Sequence, residues 1–121
     1  HRGRRRFRGL DAVKRGEIVT VAVQGDYGKP RPAVVIQSDW LAETESVLVC
    51  LLTSTTRETP LYRLTVPSTP ETGLRQVSQI MVDKIMAVRR DKCGPAIGRL
   101  DEAATLALNR LLALVIGLAD G

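Results

Sequence analysis

A chain of 121 residues with a single histidine, four aromatic residues and a formal charge of +5 leaves few kinds of chemistry open. The histidine is His1, at the very start, which removes most metal sites and every Ser–His or Cys–His nucleophilic pair. With so few aromatics a base-stacking platform is weakly supported, and catalysis falls to Arg, Lys, Ser, Thr, Tyr or a carboxylate.

The length fits one domain with one core. The charge is uneven. Residues 1–9 carry Arg2, Arg4, Arg5, Arg6 and Arg8 and no acid, so the body from Leu10 onward is formally neutral, with 13 basic and 13 acidic residues. A basic arm on a neutral domain suits nucleic-acid contact, and it suits a disordered leader equally well. Residues 1–12 are expected to be disordered and dispensable, and 13–121 to be the folded domain. Cys50 and Cys93 are isolated, without a CxxC spacing, which points to a reducing compartment. No apolar run has the length and composition of a membrane span, and the expectation is a soluble cytoplasmic protein without a membrane partner.

In chain order, Glu17 to Val23 is β-branched and alternating, and predicts a first strand. Gln24 to Lys29 holds Gly25 and Gly28 and reads as a mobile loop. Next comes Pro30-Arg31-Pro32, running into Ala33-Val34-Val35-Ile36. A proline fixes its own φ and steers the preceding residue to extended backbone, so this tripeptide predicts a stiff mount for a guanidinium at the lip of a second strand, Ala33 to Ser38. Arg grips phosphate through a planar fork of donors, although a solvated strand-entry arginine fits the same pattern.

Asp39 to Ser46 reads as a turn or short helical piece, Val47 to Thr53 as a buried strand, and Ser54 to Pro60 as a hydroxyl-rich loop. Tyr62 to Val66 alternates as a fourth strand and Pro67 to Gly73 is a turn cluster. Val77 to Ile85 predicts a strand with a bulge or bend, Met86 to Arg89 a further extended piece, and Lys92 to Gly98 a turn. Asp101 is a good N-cap for a final helix to Leu118, with Glu102 complementing the dipole. Ala104, Leu108, Leu111, Leu112, Val115 and Leu118 share one helical face, while Leu106 lies opposite and Leu114 and Ile116 flank the stripe. So broad an apolar arc predicts partial burial against another chain; Leu106 reads equally as an ordinary exposed leucine. Short strands followed by one helix give a mainly β fold, a curled antiparallel sheet closed by a C-terminal helix.

Five segments carry a family resemblance. Val13-Lys14-Arg15-Gly16-Glu17-Ile18-Val19 resembles the RGEIW opening of the MazF/PemK type II toxins, and Lys29 to Val35 the RPAVV strand. Leu51-Leu52-Thr53-Ser54 is similar to the third strand, which ends in a hydroxyl residue. Gln79 to Ile85 resembles the QIxxIDK stretch, and Ile97-Gly98-Arg99-Leu100-Asp101 the IGxL entry to the last helix. The five lie in one order across Val13 to Leu118.

That resemblance implies an SH3-like curled barrel of the CcdB/PemK kind, a homodimer, and metal-independent, sequence-specific endoribonuclease activity on single-stranded RNA without any cofactor. It also implies a cognate antitoxin whose acidic C-terminal segment occludes the RNA groove. The family's catalytic arginine falls on Arg31 and its catalytic hydroxyl on Thr53. The expected RNA-binding residues are Gln24, Tyr27 and Lys29 from the first loop, with Ser54, Gln79 and Lys84. Here that loop is Gln-Gly-Asp-Tyr-Gly, shorter than the commoner acid-Pro-x-x-Gly-Ser-Glu form, which bears on substrate preference. In-line attack of a ribose 2′-OH needs a proton acceptor, a proton donor and relief of charge on the phosphorane. Arg31 suits the last two. Without the resemblance, Thr53 reads as a strand-end threonine bonding its own backbone.

The CcdB-type DNA gyrase poisons share the barrel and are the alternative. Their contact residues are a C-terminal Trp-Gly-Ile, whereas this chain's one tryptophan is Trp40. A non-catalytic SH3-like module is a third reading, and it lacks the aromatic groove such modules use.

Overall fold

The computed structural model describes residues 13–23 and 29–120. The proposed arm, residues 1–12, and the loop residues Gln24 and Tyr27 lie outside the described residues.

Among the described residues, six strands form one sheet in the order β4-β5-β3-β2-β1-β6, and every pairing is antiparallel. They are β1 (Glu17–Ala22), β2 (Pro30–Val35), β3 (Ser46–Thr53), β4 (Arg63–Val66), β5 (Ser78–Arg89) and β6 (Cys93–Arg99). Short 3-10 turns lie at Asp39–Leu41 and Arg90–Lys92, and the helix α1 spans Glu102–Val115.

Period-two alternation sends the strand residues to two cores, one on each face of the sheet. Ile18, Val34, Cys50, Leu52 and Ile80 meet Leu108 and Leu112 of α1. Val19, Val21, Ala33, Val35, Val49 and Leu51 form the second cluster on the other face. Burying a leucine such as Leu108, which is fully enclosed, contributes about 1.5–3 kcal/mol.

The sheet is curled rather than flat. The β4–β5 connection reaches β6, where the Arg99 N–H donates to the Glu71 carbonyl at 2.9 Å. Two glycines permit that closure. A Cβ at Gly98 would overlap the Thr72 carbonyl, and one at Gly73, whose φ is 69°, would overlap the Ile97 carbonyl.

Four sequence expectations are corrected. Pro30 and Arg31 lie within β2 and not ahead of it, and the strand ends at Val35 and not Ser38. Prolines fit there because β2 meets β3 only from Ala33 to Val35, so on that side Pro30–Pro32 is an edge. Residues 93–98 form an edge strand where a turn was expected. Gly94 and Gly98 serve close approach to Thr20 and Thr72, and the edge accommodates Pro95. Ser78 to Arg89 is one strand and not two pieces. The expected bulge is present, since between Cys50↔Ile85 and Leu52↔Ile80 β3 advances two residues while β5 advances five. Finally, α1 stops at Val115 and Gly117 turns the chain at φ 83°, so Leu118 leaves the stripe and is 73% exposed. At the other end Asp101 caps α1 as expected, accepting from the Ala104 N–H at 2.8 Å.

Candidate active site

β2 and β3 pair as Ala33↔Leu51, Val34↔Cys50 and Val35↔Val49. The ladder ends there, and Arg31 and Thr53 each lie two residues past the Ala33↔Leu51 pair on their own strands. Arg31 shares its face with Ala33, and Thr53 with Leu51, so both point to the side of the sheet away from α1. Thr53 is the partner of Gln79 on β5, and Gln79 is the partner of Thr65 on β4. Three polar side chains thus cross three strands at one level, Thr53, Gln79 and Thr65, with Arg31 on the same face of β2 past the end of its ladder with β3.

Arg31 and Thr53 are half-buried, at the wet end of the second core. The Thr53 hydroxyl accepts the Thr55 N–H at 3.1 Å. Such a bond occupies an acceptor lone pair and leaves the O–H proton to donate elsewhere. Gln79 is 7% exposed, with its amide fully engaged. Oε1 accepts the Arg57 N–H at 2.9 Å and an Arg63 Nη1–H at 3.2 Å. Nε2 donates to the Arg57 carbonyl at 2.9 Å and to the Thr65 hydroxyl at 3.3 Å.

Lys29 is exposed just before β2, and Ser54 is exposed just after Thr53. Lys84 is exposed too, but it lies in the bulged stretch of β5, outside the row. Arg63 escaped the sequence reading. It is half-buried on β4, and its Nη1 also donates to the Thr55 carbonyl at 3.1 Å. The signal was the alternation in Tyr62 to Val66, where Leu64 and Val66 face α1 and Arg63 and Thr65 face the other way.

Among the described residues no group of three or more His, Cys, Asp or Glu could hold a metal ion. Nor is any described helix long and apolar enough to cross a membrane. The Cys50 thiol is buried beneath the site in the helix-side core, where desolvation, with Asp83 adding to it, pushes its pKa up to about 12. That excludes it as a nucleophile.

The chain matches the family described as PemK-like, MazF-like toxin of type II toxin-antitoxin system over residues 14–116. It is 40% identical over 108 residues to a probable endoribonuclease MazF of Mycolicibacterium smegmatis, spanning 88% of this chain and 99% of that relative. Its fold is shared with an endoribonuclease solved with its cognate antitoxin from a mycobacterial species, at TM-score 0.73 and 24% identity, over 88% and 97% of the two chains. MazF of Deinococcus radiodurans superposes at TM-score 0.70 and 18% identity, over 88% and 97%. From its first strand to its final helix, then, this chain belongs to the PemK-like, MazF-like toxins of type II toxin–antitoxin systems.

Proposed function

We propose that the protein is the toxin of a toxin–antitoxin pair, a sequence-specific endoribonuclease that cleaves single-stranded RNA by attack of a 2′-OH on the adjacent phosphate. The observation that carries this reading is that Arg31 and Thr53 lie half-buried on the face of the sheet away from α1, each two residues past the end of the β2–β3 ladder. It is supported by the 40% identical relative, a probable endoribonuclease. The family match sets the gyrase alternative aside.

In the reaction, the 2′-oxygen passes its proton to solvent water and forms a bond to phosphorus, while the bond from phosphorus to the 5′-oxygen breaks and that oxygen takes up a proton. The products are a 2′,3′-cyclic phosphate and a 5′-hydroxyl end. Charge builds on the non-bridging oxygens as the phosphorane forms. Arg31 offers two parallel N–H bonds to those oxygens, and Thr53 directs one O–H at the same group. A guanidinium with a pKa above about 12 is a poor proton acceptor, so Arg31 acts as charge clamp and as proton donor to the leaving oxygen. Lys29 and Ser54 flank the pair and bind the neighbouring phosphates, with Gln24, Tyr27 and Lys84 as further RNA contacts. The chemistry uses no metal or organic cofactor.

The protein works in the cytoplasm as a homodimer. The exposed Leu106, Leu114 and Ile116 along and beyond α1 support the dimer as apolar surface in need of cover. Its activity is held in check by an antitoxin with an acidic segment. Relatives of the same fold have been solved with their antitoxins.

The direct test is incubation of the purified chain with a long single-stranded RNA in EDTA, with mapping of the new 5′ ends. Cleavage at a recurrent sequence, leaving 5′-hydroxyl ends, is the expected result. Intact RNA, or cleavage only when divalent metal is supplied, would overturn the reading.

A further inference from the structure

Gln79 makes four hydrogen bonds, and two of them engage the N–H and C=O of one residue, Arg57. That is the pattern by which one strand residue grips its partner in an antiparallel ladder, here supplied by a side chain. Arg63 adds a second tie, bridging Gln79 Oε1 and the Thr55 carbonyl. The Thr55 N–H in turn holds the Thr53 hydroxyl. A continuous chain of bonds therefore runs from β4 and β5, through the loop after β3, to the Thr53 hydroxyl.

We propose that Gln79 and Arg63 form a latch that fixes residues 55–57 and thereby aims the Thr53 O–H at the reacting phosphate. Both are positioning residues and neither binds RNA itself. The inference rests on the reading of Thr53 as a reacting group. Two observations favour a latch over direct contact. Gln79 is 7% exposed, and both halves of its amide already have protein partners. Arg63, moreover, is held at a cost. Among the described residues it has no carboxylate partner, and its Nε is buried without a hydrogen bond. A sheet built for stability alone does better with an apolar residue there, since an unpaired buried donor is expensive. A hydroxyl that must meet a phosphate within a fraction of an ångström explains why the cost is tolerated.

The test compares Gln79→Ala and Arg63→Lys with the parent, using hydrogen exchange at the Arg57 amide and single-turnover cleavage of an RNA oligonucleotide carrying a mapped site. In Gln79→Ala the Arg57 amide should exchange about tenfold faster, as expected for loss of one hydrogen bond. Its cleavage rate should fall by about 100-fold with little change in RNA affinity, the mark of misplaced chemistry rather than lost binding. Arg63→Lys keeps the charge but loses the fork, and should show the same split more mildly, which guards against Gln79→Ala failing to fold. On a Thr53→Val background, Gln79→Ala should cost little more, because both changes disable one hydroxyl. Weakened RNA affinity with an unchanged rate and unchanged Arg57 exchange would make Gln79 an RNA contact and overturn the latch. If Thr53→Val retains parent activity, the reading of Thr53 fails, and the exchange rate at Arg57 still decides whether the latch exists.

Discussion

Arg31 on β2 and Thr53 on β3 each lie two residues past the last laddered pair of their strands, Ala33 and Leu51, on the same face of the sheet. Strand ends just past their ladder combine a fixed direction with exposure to water. That combination suits a site for a polyanion, because the sheet sets the geometry and solvent admits the ligand. The hydrocarbon layer beneath, Val21, Ala33 and Leu51, resists collapse of the site.

Arg31→Ala should lower cleavage by about 100- to 1,000-fold, the usual cost of removing one donor to a developing charge. The fold should survive, since Arg31 is only half-buried at the end of the second core. Arg31→Lys should rescue poorly, because a point charge does not reproduce two parallel bonds. Near-parent rates for the Ala variant, with an unchanged thermal midpoint, would remove Arg31 from the mechanism.

Thr53→Val should reduce the rate by a smaller factor and leave stability nearly unchanged, because valine suits a strand. Ser54, one residue further and fully outside the strand, gives the control. Should Ser54→Ala be dead and Thr53→Val active, the reacting hydroxyl belongs to Ser54.

Stability should fall at high pH through Cys50. Its thiol titrates near 12 in the folded chain against an ordinary value of 9.0, so the unfolded chain ionises first. The contribution is whole below pH 9 and is lost progressively as pH rises toward 12. Urea midpoints measured from pH 8 to 10.5 should drop less steeply in Cys50→Val than in the parent. Equal slopes would show that the thiol is less buried than its place in the helix-side core implies.

How far the site was legible depended on the distance over which its residues are specified. The α1 cap at Asp101 and the bulge in β5 are local patterns and were readable. Thr53 was not readable from chemistry alone. Its bond to the Thr55 N–H is the backbone-satisfying role that any strand-end threonine can take. Only the resemblance separated it from that reading. The latch was invisible for another reason. Gln79 meets Arg57 across 22 positions, and a bulge of β5 sets the register, so no local spacing predicts the contact. The errors at 30–32 and 93–98 both fall where a segment is paired on one side only. Pro30 to Pro32 was read as an extended mount ahead of the strand and 93–98 as a turn, whereas an edge lets proline and glycine serve as strand residues, with glycine allowing backbones to approach.

Gly98→Ala should cost about 1–3 kcal/mol, because the new methyl meets the rigid backbone of residues 71–72 and not the end of a flexible side chain. The Arg99–Glu71 bond that closes the sheet should loosen with it. The urea midpoint reports the first effect, and exchange at the Arg99 amide the second. An alanine variant as stable as the parent would mean that the β4–β5 connection does not brace β6.

The last prediction concerns inhibition. Lys29, Arg31 and Arg57 stand at the same end of the sheet, so an acidic peptide finds the donors that an RNA backbone uses. A disordered acidic segment that folds on binding can cover such a surface despite the entropy it loses. An antitoxin segment of this kind should therefore displace RNA in proportion to its occupancy, and both ligands should weaken as salt rises. Fluorescence anisotropy of a labelled, non-cleavable oligonucleotide, titrated with the acidic peptide at two salt concentrations, measures both effects. Arg31→Ala should weaken the two ligands together, since each draws on the same guanidinium. If RNA and peptide bind at once without mutual effect, the shared surface is wrong, and inhibition must act through a conformational change elsewhere in the sheet.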